Sequence, residues 1–211
     1  MEMKEWKDKV SYSIGVDIGR SLQRNGTDAS VDIIARGMQD VLSGTFLLMT
    51  DAEMKEVFEK VKADNAAKQY AKFEARAETN KQEGAAFLER HGKGEGVILL
   101  PSGLQYKVLK EGAGRTPGPD DKVSVHYRGM FVDGRQFDSS YDRGQPTMFP
   151  VKGVIKGWTE ALQLMKEGSQ WKIVVPPDLG YGETGTPGGP IGPNQVLLFE
   201  LEVLQIMDSM Q

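Results

Sequence analysis

The chain offers few groups able to do chemistry, and the choice narrows quickly. It has no cysteine, which removes a thiol nucleophile, a disulfide framework and a cysteine-based zinc site together. Its two histidines, His91 and His126, lie far apart, and no serine sits in the tight turn that a hydrolase nucleophile needs. Metal-ligand spacing is absent, including any acidic calcium loop. His126 falls in an alternating run and reads as a structural histidine. Gly180-Tyr181-Gly182-Glu183-Thr184-Gly185 has the glycine spacing of a dinucleotide loop. Such a loop must open a helix whose N–H groups face a phosphate, and Pro187, Pro190 and Pro193 forbid one here. That match is chance. What stands out is aromatic and apolar, with a few polar groups set among it. Val125-His126-Tyr127-Arg128-Gly129 is followed by Asp133-Gly134-Arg135-Gln136-Phe137-Asp138-Ser139-Ser140, then Arg143, Phe149 and Gly153-Val154-Ile155-Lys156-Gly157-Trp158. Pro176-Pro177-Asp178-Leu179-Gly180-Tyr181-Gly182 and Phe199-Glu200-Leu201-Glu202-Val203-Leu204 complete the set.

These residues need a scaffold, and the chain changes character near Val97. All ten prolines lie at or after Pro101, so the first hundred residues are free to form long helices. Val10, Ile14, Ile18 and Leu22 make one helical stripe; Ile33, Ile34, Met38, Val41 and Leu42 make another. Gly15 and Gly19 would let helices approach closely. Two readings stand side by side: an ordinary helical hairpin, or a unit too small to bury its faces alone that pairs with a second copy. Met38, Met49 and Met54 suit an adaptable interface of the second kind. Thr50-Asp51-Ala52-Glu53 is a capping box. It predicts a helix of about 40 residues, about 60 Å long at about 1.5 Å per residue. Past Val61 its apolar stripe thins, so it reads as a solvated spacer. Beyond Val97, strands are predicted at 104–108, 122–128, 171–175 and 196–204, with an Asp133-Gly134 hairpin signal. One helix starts near Ile155. The second half is thus an α+β domain, an antiparallel sheet wrapped on one short helix.

From about Gly103 to Ile206 the order, spacing and residue types resemble the FKBP family of prolyl isomerases. With Asp8 to Gly15, Gly37 to Asp40 and Leu100 to Val108, the whole chain is similar to the bacterial macrophage infectivity potentiator subgroup. The resemblance implies a helical dimerisation domain over residues 1–49, a connecting helix over 50–95 and an isomerase domain over 96–211. It implies a pocket wall of Tyr127, Phe137, Asp138, Arg143, Phe149, Val154, Ile155, Trp158, Tyr181, Ile191 and Phe199. Trp158 is the expected floor. Thr147 stands where some members carry an aromatic, which implies a more open rim. In this scheme Asp138, Tyr181, Tyr127, Phe137 and Phe199 carry the catalysis, and the other wall residues bind substrate. Tyr181 O–H and the Ile155 backbone N–H hold substrate carbonyls. Asp138 either faces the twisting carbonyl or only braces its loop with Arg143. No cofactor or metal is expected. The implied partners are a second copy of the chain, proline-containing unfolded polypeptides and, as inhibitors, rapamycin-type macrolides. A folding helper that binds unfolded chains without catalysis is the rival reading.

Charge and hydropathy bound the setting. Up to Val97 there are 15 basic and 17 acidic side chains, and beyond it 11 and 13. Neither half carries a basic footprint for nucleic acid. No window reaches the roughly 18 apolar residues of a membrane span. The first residues lack the order of a signal peptide. The resemblance implies the cell envelope or periplasm for a chain whose leader is missing, and the cytoplasm otherwise.

Overall fold

Three helices carry the chain as far as Gly92: α1 Trp6–Asn25, α2 Val31–Ser43 and α3 Asp51–Gly92. The computed structural model describes residues 3–207. Its contacts divide the chain into two compact units that meet inside α3, between Lys72 and Phe73.

In the first unit the helix starts are written locally. Glu5 and Asp8 cap α1 reciprocally. At α3 the Thr50 N–H donates to Glu53 Oε2 at 2.8 Å, and the Glu53 N–H donates to Thr50 Oγ1 at 3.3 Å, as the capping box predicts. The backbone bond from Thr50 holds the Glu53 carboxyl below its ordinary range. The predicted apolar stripes of α1 and α2 are present but uncovered within the chain. No residue of α1 is buried, and Asp40 alone is buried in α2.

The second unit is built on a seven-stranded sheet whose main path runs β1-β2-β6-β7-β3-β4, with β5 also paired to β3. The strands are β1 Ile98–Leu99, β2 Gln105–Lys110, β3 Lys122–Phe131, β4 Gln136–Ser139, β5 Thr147–Pro150, β6 Gln170–Val175 and β7 Leu197–Met207. All pairings are antiparallel. Along β3 the odd residues Val123, Val125, Tyr127, Gly129 and Phe131 are buried, while the even ones are part-exposed or exposed. That is the period-2 alternation of a strand with one face on the core. The short helix α4, Lys156–Leu162, covers this inner face and buries Gly157, Trp158, Ala161 and Leu162 against it. Val174 and Leu198 point the other way, and Val196, Phe87 and Leu88 pack with them.

Phe87 and Leu88 belong to α3, so its last turns are not the solvated spacer that the thin stripe suggested. The contact face runs through Asn80, Gly84 and Leu88, and a hydrophobic-periodicity reading scores the first two low. Gln105 of β2 closes the helix end: its Nε2 donates to Leu88 O at 2.9 Å and its Oε1 meets His91 Nδ1 at 2.8 Å.

Candidate active site

β3 has two edges, and β7 occupies one of them along its whole length. The other edge is shared. β5 pairs with residues 122–125 and β4 with residues 128–130. In the gap between them Ser140 stitches the chain to β3. Its N–H donates to Tyr127 O at 3.0 Å, and its Oγ accepts the Tyr127 N–H at 2.8 Å. The segment between β4 and β5 leaves the sheet here and brings Arg143 back over Tyr127. Phe137 and Asp138 therefore come from β4, Phe149 from β5, Trp158 from α4 and Phe199 from β7. Tyr181 follows a 3-10 turn at Pro177–Leu179.

Trp158 is 4% exposed, and three rings stand nearly perpendicular to it. Tyr127 lies at 5.1 Å and 80°, Phe199 at 5.2 Å and 85°, and Phe149 at 5.6 Å and 86°. Edge-to-face packing of this kind suits the ring quadrupoles. It also makes Trp158 a base with upright aromatic walls. Phe137 meets Phe199 edge to face at 5.7 Å and 87°. Both rings sit over Gly129, where a Cβ would come within 2.6 Å of Phe137 and 3.0 Å of Phe199. A side chain at Gly129 would push the wall into the cavity. The cavity is about 400 Å³, opens to solvent on one side and is lined by Tyr127, Phe137, Asp138, Phe149, Gly153, Val154, Ile155, Trp158, Tyr181 and Phe199.

One polar cluster breaks this apolar lining. Tyr127 O–H donates to Asp138 Oδ2 at 2.5 Å, and Arg143 Nη1 donates to Asp138 Oδ1 at 2.5 Å. Arg143 Nη2 also donates to Tyr127 Oη at 2.7 Å and to Thr147 Oγ1 at 3.3 Å. Burial alone would raise the Asp138 carboxyl, but the hydrogen bonds from Tyr127 and Arg143 outweigh it. The group sits below its ordinary value. Burial, joined by the negative charge of Asp138, pushes the Tyr181 hydroxyl upward. Tyr127 is raised in the same sense by burial and by its bond to Asp138. The site thus holds one carboxylate, one guanidinium and two neutral phenols. Among the described residues no cluster of potential metal ligands exists.

Comparison with known proteins agrees with this geometry. Residues 113–204 match the family described as FKBP-type peptidyl-prolyl cis-trans isomerase, and residues 7–108 match the domain amino terminal to it. "Outer membrane protein MIP" of Legionella longbeachae is 48% identical over 200 residues, covering 95% of this chain and 85% of its own. The chain belongs to the FKBP-type peptidyl-prolyl cis-trans isomerases. The "Peptidyl-prolyl cis-trans isomerase Mip" of Coxiella burnetii is 41% identical, covering 97% of this chain and 88% of its own. The crystal structure of FkpA from Escherichia coli superposes with a TM-score of 0.77 at 34% identity, covering 99% of this chain and 100% of that one.

Within this FKBP domain most of the residues expected at the wall meet around the cavity, and two do not. Arg143 reaches the cavity only through Asp138 and Tyr127. Ile191 is 6% exposed and packs in the core beneath the loop that carries it. Its backbone explains this: Ile191 O accepts from the Thr186 N–H and its N–H donates to Thr186 Oγ1, which folds the loop on itself. Thr147, where some members carry an aromatic, accepts from Arg143 Nη2 through its Oγ1. Gly153 lines the cavity and was not singled out from the sequence. Gly129 ends the run Val125-His126-Tyr127-Arg128-Gly129, yet a glycine gives no signal of what leans on it. No helix opens at Gly180–Gly185, and the chain makes turns there instead.

Proposed function

We propose that this FKBP-type isomerase binds an X-Pro segment with the prolyl ring over Trp158 and lowers the barrier to rotation there. Uncatalysed, that barrier is about 18–20 kcal/mol, and exchange takes tens to hundreds of seconds. The planar amide is charge-separated and the twisted one is not. An apolar enclosure therefore disfavours the planar form more than the twisted one. The perpendicular aromatic box is the observation that carries this reading. A donor on the rotating carbonyl would strengthen amide resonance. Tyr181 O–H and the Ile155 N–H thus serve as anchors on carbonyls outside the rotating bond. Asp138, placed beside the rotating oxygen, opposes the negative charge that planarity requires. The experiment is the cis-to-trans rate of a short X-Pro peptide, with and without a rapamycin-type macrolide. Acceleration abolished by the macrolide is expected. A folded chain that gives no acceleration sinks the reading and leaves a binder of unfolded polypeptide.

The same assignment sets the pH dependence. Asp138 is depressed below its ordinary value, while Tyr127 and Tyr181 are raised above theirs. No lining group changes charge between about pH 5 and 9 on ordinary values so displaced. A flat pH–rate profile is expected across that window. Activity should fall only in acid, as pH drops through the lowered Asp138 value. A bell centred near neutrality would place another titrating group in the chemistry.

The helical arm completes the proposal. Trp6, Val31, Ile33, Leu42, Leu48 and Phe58 are exposed, and Phe46 is 100% exposed. So much uncovered apolar surface is a mark of an interface. We infer a homodimer formed through residues 1–49, with 50–95 as the connecting helix and 96–211 as the isomerase domain. Light scattering should give twice the chain mass of 23.3 kDa. Two cavities on one particle would gain avidity for an extended, proline-containing polypeptide, which supports chaperone activity beside isomerisation. For the compartment we infer the cell envelope. The support is the Legionella relative, which is named as an outer membrane protein. Among the described residues no helix is long and apolar enough to cross a membrane.

A further inference from the structure

We propose that Asn80, on α3, is a positioning residue for the isomerase site, holding the far stem of the loop whose near stem carries Tyr181. The inference rests on the reading of Tyr181 as a group that touches substrate. The hydroxyl of Tyr127 is locked by Asp138 and Arg143. Tyr181, 39% exposed at the cavity, has no such lock: its hydroxyl makes no hydrogen bond to the described chain. No hydrogen bond of its own fixes the hydroxyl, so where the ring stands depends on its backbone.

That backbone is a poor anchor by composition. Residues 182–193 include five glycines and three prolines, and glycine loses the most freedom on ordering. The loop is held by a short chain of bonds instead. Asn194 N–H donates to Gly182 O at 2.9 Å, Gly185 N–H to Tyr181 O at 3.2 Å and Gly182 N–H to Pro177 O at 2.9 Å. Asn194 has φ 52°, the one left-handed non-glycine among the described residues, in a region that asparagine enters more readily than other side chains do. Two sets of contacts hold this stem, a local bond from the Gly192 N–H to Gln195 Oε1 at 3.1 Å and a clamp from α3. Asn80 Nδ2 donates to Pro193 O at 2.7 Å. One turn on, Gly84 is buried so closely that a Cβ would lie 2.7 Å from Val196 Cγ2. One turn back, the Arg76 guanidinium lies against Gly192, where a Cβ would meet its Nε at 2.6 Å. Three successive positions of one helix face thus clamp residues 192–196. The clamp passes through Asn194 and Gly182 to Tyr181. A helix outside the isomerase domain's sequence boundary is part of the scaffold of its site.

The test is a double-mutant cycle in the full chain, using a short X-Pro peptide. Asn80→Ala should lower kcat/KM about fivefold, the worth of one net hydrogen bond, mostly through kcat. Asn80→Asp keeps the shape but cannot donate to a carbonyl, and should lower it at least as much. Both variants should melt within a few degrees of the parent, and amide exchange at Asn194 should quicken. In a Tyr181→Phe background Asn80→Ala should add almost nothing, because the two substitutions break one path. An equal drop in both backgrounds, or no drop in the parent, overturns the proposal. If Tyr181→Phe alone retains full activity, the reading of Tyr181 fails. Exchange at Asn194 then decides the clamp by itself: quickened exchange in Asn80→Ala upholds it, and unchanged exchange ends it.

Discussion

Trp158→Ala should be the most damaging single change in the cavity, lowering both stability and turnover. The indole is 4% exposed and meets Tyr127, Phe149 and Phe199 at centroid distances of 5.1, 5.6 and 5.2 Å. Removing a buried aromatic costs about 3–5 kcal/mol, because the neighbours relax only partly into the space. For a unit of this size that lowers Tm by about 10 °C. Turnover should fall by at least about a hundredfold, since each 1.4 kcal/mol of lost transition-state binding is tenfold. Stability and catalysis are separated by Trp158→Leu, which keeps an apolar floor without the flat ring. It should recover most of the melting temperature and only part of kcat/KM. Thermal melts and the peptide assay on both variants decide the matter. Full activity in Trp158→Ala would mean that the prolyl ring does not sit there.

How much of this was readable in advance depended on whether a residue announces its role through its own side chain. The α3 start was legible because Thr50 and Glu53 satisfy each other's backbone within four residues. β3 was legible because Val123, Val125 and Tyr127 alternate with polar neighbours. The four-residue strands β4 and β5 were not, since their pairing is dictated by where β3 leaves an edge open. The glycines are the clearest failures. Gly129 is needed because Phe137 and Phe199 lean on it, and Gly84 because Val196 does. In both cases the reason lies in a residue distant in sequence. The last turns of α3 read as solvated for the same cause: Asn80 and Gly84 make contact through an amide and an absent side chain. Ile191 stood at a wall position by resemblance, but the Thr186 bonds turn its side chain into the core.

Replacing Asp138 decides between its two roles, brace or electrostatic partner of the rotating amide. Its side chain is 42% exposed and pairs with an Arg143 that is 43% exposed, so the pair adds about 0–1 kcal/mol to stability. What stability it adds is present above the ordinary carboxylate value. It is lost as pH falls through the lower folded one. Asp138→Leu should therefore stay folded, with a Tm within a few degrees. Yet it strips a charged acceptor from both Tyr127 and Arg143. Hydrogen bonds to charged groups are worth about 1.5–3 kcal/mol, so kcat/KM should drop about ten- to a hundredfold. Asp138→Asn separates charge from shape, because the amide can still accept from Tyr127. A pure brace would leave Asp138→Asn close to the parent and make Asp138→Leu alone defective. An electrostatic role makes both variants slow and removes the acid limb of the pH profile, since its titrating group is gone. The second pattern is the expected one. A folded Asp138→Leu chain with an unchanged rate would remove Asp138 from the chemistry and leave the aromatic enclosure as the whole of the catalyst.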